Sequence, residues 1–204
     1  MSIYGNFINE VTNNIKPKED DFFSTKGRII EKITGFFDEE KGLYNALVKV
    51  EGEEENLRGR SEMVLLDAAK KRIFMELKKD NTYKLPGGGW DQGEDHMACA
   101  IRETQEEIRM NSAHVLYVGN YINYYKDAYN CLKYPKETRW IGTFSEVYCG
   151  VENGVYKIKI DDKDQDDLFW KGRFYDIEEV FDILKPIHQK AVRMQQKYDA
   201  DKEN

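Results

Sequence analysis

The chain has 204 residues, 40% hydrophobic and 13% aromatic, which supplies a core and excludes global disorder despite a charged fraction of 34%. At about 150 residues per domain, this length predicts one main domain with an appendage rather than two full domains. Lys plus Arg number 31 against 38 Asp plus Glu, and a net charge of -7 lacks the basic field that rewards contact with a phosphate backbone, so duplex DNA is disfavoured as a partner.

No apolar run approaches the roughly 20 residues of a membrane span, and Met1 to Lys16 has no basic segment followed by an apolar core. The expected address is the cytoplasm, with no membrane partner. Cys99, Cys131 and Cys149 lack CxxC or zinc-ligand spacing and read as reduced thiols. His96, His114 and His188 are equally scattered, with no metal cluster visible along the chain.

Residues 1–59 read as a small, mainly helical N-terminal extension. Phe7, Ile8, Val11 and Ile15 fall at helical spacing, Lys16-Pro17-Lys18 breaks it, and Ile29, Ile30, Ile33, Phe36 and Phe37 renew it. Leu43 to Val50 fits a strand or a further helical turn, and Glu51 to Glu55 reads as an exposed acidic connection. The extension could serve as a homodimer contact, a lid or a docking surface.

Residues 60–197 read as one α/β domain. Met63 to Asp67 and Arg72 to Leu77 are short apolar runs around a tight connection, which suits neighbouring strands. Leu85-Pro86-Gly87-Gly88-Gly89 interrupts any regular element, and a helix follows from about Asp95 to Met110. His114 to Tyr124, Arg139 to Tyr148 and Val155 to Ile160 are β-branched and aromatic and predict three more strands. Asp176, with Glu179 three residues later, predicts a capped helix start; Pro186 divides that helix from a second one reaching about Lys197, and residues 198–204 form a frayed tail.

On the helix over Asp95 to Met110, Met97, Ile101, Thr104 and Ile108 form one stripe that can face a sheet. Glu103, Glu106 and Glu107 share another face at i, i+3 and i+4, and Arg102 lies four residues before Glu106 and can brace it. Like charges at that spacing repel unless they are solvated or offset. A hard divalent cation would offset them, because Mg²⁺ or Mn²⁺ takes carboxylate, carbonyl and water oxygens and binds where carboxylates meet phosphates. The glycine run adds backbone that can approach a metal or a phosphate closely. Taken alone, three glutamates on a solvated helix face are also an ordinary surface.

The joint spacing is more specific. Gly88, five residues, Glu94, seven residues, then Arg102-Glu103-Thr104-Gln105-Glu106-Glu107 resembles the Nudix box, and the flanking strand-like runs extend the resemblance over about residues 60–197. Two positions depart from it: Thr104 replaces an aliphatic residue, and Arg109 stands where the family has glycine, with Asn111 the nearer candidate for a left-handed helix terminus. The resemblance implies a Nudix-type α/β/α sandwich around a mixed sheet. It also implies Mg²⁺-dependent hydrolysis of a phosphoanhydride in a nucleoside triphosphate or nucleoside diphosphate derivative.

By the same resemblance, Gly88, Glu103, Glu106 and Glu107 would hold the metal, with Glu103 a candidate to deprotonate the attacking water and Arg102 and Glu94 orienting the glutamates. Tyr125, Tyr129 and Trp140 lie where relatives often build a base pocket and are candidate stacking residues for a nucleotide. Neither subclass signature is met: Tyr125 falls slightly early for the dinucleoside polyphosphate type, and the nearest proline to the ADP-ribose type is Pro135. Asp161 to Asp167 could add a carboxylate, although a solvated loop is the simpler reading. Two other functions remain open: removal of phosphate or cap from the 5′ end of RNA, with Lys16, Lys18, Lys26 and Arg28 as a local basic patch, and non-catalytic nucleotide sensing, against which all four box glutamates stand intact.

Overall fold

The computed structural model describes residues 30–38, 43–50, 53–91, 93–124, 142–156 and 171–200. Along them run β1 (Ile30–Asp38), β2 (Leu43–Val50), β3 (Glu53–Leu66), β4 (Arg72–Leu77), β5 (Tyr83–Lys84), β6 (Gly87–Gly89), α1 (His96–Ile108), β7 (Met110–Tyr124), β8 (Gly142–Val155), β9 (Arg173–Asp176), α2 (Ile177–Val180), a 3-10 turn (Phe181–Ile183) and α3 (Pro186–Ala200). This is an α/β fold on a mixed sheet, the class expected from the sequence. The chain divides into two compact units, the first drawn from residues 1–60, 89–96 and 120–146 and the second from 61–88, 97–119 and 147–204.

The first unit corrects the helical reading of the N-terminal extension. Residues 30–38 and 43–50 are antiparallel strands, in register from Ile33↔Val48 to Asp38↔Leu43, and β2 pairs in turn with the start of β3, from Asn45↔Arg58 to Val50↔Glu53. Ile30, Ile33, Thr34, Phe36 and Phe37 are β-branched or aromatic, and Gly35 would cost a helix interior about 1 kcal/mol, so a partner strand wins over helical spacing. The acidic stretch is likewise no open connection, since Glu53, Glu54 and Glu55 are paired residues of β3 and Lys49 stands in register with Glu54. The helical signals before residue 30 lie outside the described residues.

Gly59 in β3 makes room for an indole. A Cβ there would collide with the Trp90 ring, and the Trp90 amide donates to the Gly59 carbonyl at 3.3 Å. Trp90 is buried, stacks on the His96 ring at 3.7 Å and meets the edge of Phe144 at 6.0 Å.

In the second unit, β3 turns into β4 through a tight connection with Leu66 opposite Ile73. The Asp67 carboxylate closes it by accepting the Lys71 and Arg72 amides and the Arg72 Nε, each at 2.9 Å. β4 also pairs antiparallel with β5 and with β9. Met63, Leu65, Phe74, Ala100 and Tyr148 form a buried cluster against which Met97, Ile101 and Ile108 of α1 pack. The fourth residue of the expected stripe, Thr104, is fully buried, and its hydroxyl donates to the Ala100 carbonyl at 2.7 Å, so the polar replacement is satisfied within the helix.

Three terminus details differ from expectation. α1 ends at Ile108, and Arg109 itself takes the left-handed conformation (φ 58°), with its amide bonded to the Gln105 carbonyl at 3.1 Å. Asn111 is instead in β7, its side chain accepting from Gln105 Nε2 at 3.2 Å. Asp176 makes no side-chain cap to the single-turn α2, whose first amide donates to the Lys71 carbonyl at 2.9 Å. Pro186 opens α3 as expected, and the helix continues past Lys197 to Ala200. Of the strand expected over 155–160, Val155 is the last residue of β8 and residues 157–160 lie outside the described ones.

Candidate active site

The apolar stripe of α1 packs on the core of the second unit, and this rotates Glu103, Glu106 and Glu107 to another face of the same helix. The glycine run meets that face; it is not the irregular stretch expected from the sequence but strand β6 (Gly87–Gly89), which pairs with β3. The Gly87 amide donates to Glu107 Oε2 at 2.9 Å. Gly88 lies so close to the Glu103 carboxylate that a Cβ on residue 88 would overlap it. A side chain on residue 88 would therefore displace the Glu103 carboxylate from this position.

Arg102 ties the cluster laterally. Its Nη1 donates to Glu103 Oε1 at 2.8 Å and to Glu106 Oε2 at 2.9 Å, so one guanidinium spans the two carboxylates and offsets their repulsion. Beneath it, the buried Cys99 Sγ lies 3.7 Å from Arg102 Nη2 and 3.8 Å from the Gly88 carbonyl. Glu103 is nearly enclosed, with 14% of its side chain exposed, whereas Glu106 is open at 52%. The cluster thus has an inner carboxylate against backbone and an outer one toward solvent.

The turn is itself anchored from below. The Met63 amide donates to the Pro86 carbonyl at 2.8 Å, and Gly87 sits over Ser61 and Glu62 without room for a side chain. Glu62 Oε2 lies 3.4 Å from Nε2 of the buried His188, whose Nδ1 is 2.7 Å from the Tyr83 hydroxyl. Burial pushes the Tyr83 phenol up to about 12, so it stays protonated. Sequence reasoning did not find this group, because Tyr83 and His188 are 105 residues apart and no spacing rule connects them.

Among the predicted site residues, Gly88, Arg102, Glu103, Glu106 and Glu107 come together in the second unit. Glu94 belongs to the first unit, where its Oε2 is 3.4 Å from the Asp91 amide. Tyr125, Tyr129, Trp140 and Asp161 to Asp167 lie outside the described residues. Cys99 and Cys149 are buried free thiols; Cys149 donates to Gln195 Oε1 at 3.3 Å, and burial pushes it up to about 12, which removes it as a nucleophile.

Carboxylate and carbonyl oxygens are the donor chemistry of a hard divalent cation. Among the described residues, no group of three His, Cys, Asp or Glu side chains is arranged to hold a metal ion, and the positive charge between Glu103 and Glu106 is the Arg102 guanidinium. Among the described residues, no helix is long and apolar enough to cross a membrane.

No curated protein matches the sequence. Among solved structures, the chain is similar to a NUDIX hydrolase from Nitrosomonas europaea at 13% identity, over 69% of this chain and 89% of that one, with a TM-score of 0.45. It is also similar to MutT from a study of Aliivibrio salmonicida and Vibrio cholerae at 12% identity, over 67% of this chain and 96% of that one, with a TM-score of 0.43. The sequence model of the NUDIX domain matches residues 37–195, most of the chain. With the box carboxylates on one helix face meeting the glycine run, and the family matched over that span, the chain belongs to the NUDIX family.

Proposed function

We propose that the protein is a Mg²⁺-dependent pyrophosphohydrolase, with Mn²⁺ as an alternative metal, that cleaves a phosphoanhydride of a nucleoside triphosphate or nucleoside diphosphate derivative by attack of water. The observation that carries this reading is the grip of the Gly87–Gly88 turn on Glu107 and Glu103 while Arg102 spans Glu103 and Glu106. Glu103, Glu106, Glu107 and the Gly88 carbonyl, which are not grouped around one point while Arg102 spans Glu103 and Glu106, would hold the metal once Arg102 gives way; when bound, it would make water more acidic and neutralise charge growing on the phosphoryl oxygens.

Glu103, held against backbone, would accept the proton of the attacking water. Glu106 is open to solvent. Arg102 keeps the carboxylates in register, and Glu94 serves as an orienting residue. Tyr125, Tyr129 and Trp140 are proposed to stack on the base, residues 60–197 to carry the activity, and the segment before them to act as dimer contact, lid or docking surface.

The test is a panel of nucleoside triphosphates and nucleoside diphosphate derivatives assayed for phosphate and pyrophosphate release with Mg²⁺. Release about a hundredfold above background is expected, lost on chelation and lost in Glu106→Gln. Equal rates for the wild type and Glu106→Gln would overturn the reading, and tight nucleotide binding without turnover would replace it with a sensor.

A further inference from the structure

The glycine turn carries the site, so what fixes the turn fixes the site. Tyr83 stands four residues before Gly87, at the entry of the turn, and Glu62 lies on β3 directly beneath Gly87. His188, on α3, touches both. Its Nδ1 is 2.7 Å from the Tyr83 hydroxyl and its Nε2 is 3.4 Å from Glu62 Oε2, with the His188 side chain 2% exposed and that of Glu62 9%. One imidazole therefore joins the strand under the turn to the strand that leads into it.

Hydrogen-bond accounting orients the protons. The Tyr83 oxygen accepts the Lys185 amide at 2.7 Å, and its own O–H can donate to His188 Nδ1 in the tautomer that leaves that nitrogen unprotonated. A ring that accepts at Nδ1 carries its proton at Nε2, the nitrogen facing the Glu62 carboxylate. Hydrogen bonds run from backbone amide to phenol and from phenol to imidazole, and the last link, imidazole to carboxylate, is an electrostatic contact at 3.4 Å and not a hydrogen bond. The order is directional, and a residue able to accept at one end and donate at the other could replace the imidazole.

We infer that His188 is a positioning residue for hydrolysis: through Tyr83 and Glu62 it sets the Gly87–Gly88 turn, and through the turn it sets where Glu107 and Glu103 stand. His188 touches no reacting atom and acts through backbone. Gly87 transmits the position to Glu107 by its amide, at 2.9 Å, and Gly88 transmits it to Glu103 by close approach. This inference rests on the reading of the glutamate face as the catalytic one, but the link from His188 to the turn can be tested without it.

The experiment uses the full chain and compares His188→Ala, His188→Gln and Tyr83→Phe. The Gln amide can accept from Tyr83 while its N–H side faces Glu62; Phe removes one hydroxyl and keeps the ring. Amide hydrogen exchange read by NMR reports the turn with no metal and no substrate. Exchange at Gly87 is expected to quicken about tenfold in His188→Ala and in Tyr83→Phe, with amides of β4 unchanged, and to stay within about twofold of wild type in His188→Gln.

On the nucleotide turned over fastest by wild type, His188→Ala should lower kcat about tenfold with KM within about twofold, and His188→Gln should restore it. Equal exchange at Gly87 in all variants overturns the inference, as does a uniform rise at every amide, or equal damage from Ala and Gln. If His188→Ala does not fold, Tyr83→Phe and His188→Gln decide by the same readouts. If wild type turns over no nucleotide, the proposed function falls and the exchange data alone decide the role of His188.

Discussion

Two kinds of carboxylate serve this molecule, and their surroundings differ. On α1 of the second unit, Glu106 has 52% of its side chain exposed and is held by one flexible guanidinium, while Glu103 and Glu107 meet a glycine turn. In the first unit, Glu146 is 7% exposed and lies 3.0 Å from His96 Nδ1, in a ring that is itself stacked on Trp90. The first arrangement can regroup around an incoming cation at small cost, because Arg102 can swing and solvent can follow. The second cannot, since a buried carboxylate that loses its partner keeps its desolvation penalty. Location in the fold, rather than residue type, separates the carboxylates proposed for chemistry from one that serves architecture.

That contrast can be broken from either side. Beyond the loss of turnover expected for Glu106→Gln, Gly88→Ala drives a Cβ into the Glu103 carboxylate, and kcat should fall about 10²-fold while circular dichroism stays native. Unchanged kcat would show that the turn does not locate Glu103.

Stability should rank the two carboxylate kinds in the opposite order. Glu146→Ala should lower the unfolding free energy by about 3 kcal/mol in urea titrations, whereas Glu106→Ala should change it by less than about 1 kcal/mol. Similar losses would erase the distinction drawn here.

Asp67 extends the comparison to pH. Burial pushes its carboxyl up, but the Arg72 amide and guanidinium and the Lys71 amide outweigh this and hold it below the ordinary carboxylate value. A depressed folded value adds stability that is present above the unfolded value, near 4, and is lost as pH falls through the folded one. Urea midpoints should therefore drop on acidification below about pH 4, and Asp67→Asn should flatten that part of the decline.

The smallest effect belongs to the helix end. Arg109 stands at φ 58°, so Arg109→Gly should raise the unfolding free energy by about 0.5–1 kcal/mol, read as a higher urea midpoint at unchanged slope. No gain would mean that contacts of the arginine side chain offset its backbone strain.

What the sequence determined by itself is whatever depends on neighbours along the chain. α1 was legible because its stripe of Met97, Ile101, Thr104 and Ile108 and its acidic face follow one helical period, and the box anchors are tied to that helix by short fixed gaps. The tight connection after β3 and the proline that opens α3 were legible for the same reason.

Tertiary structure decided what depends on partners far away in sequence. Residues 30–38 carry a spacing compatible with a helix, yet they pair with β2, because a ladder rewards β-branched and aromatic residues that a helix does not. Arg109 accepts a left-handed backbone because its carbonyl is taken by the Tyr156 amide at 2.9 Å, a contact 47 residues away in sequence. His188 and Glu62 read as isolated polar residues until the fold buries them together, and burial, which makes each need the other, is a property that a linear sequence does not have.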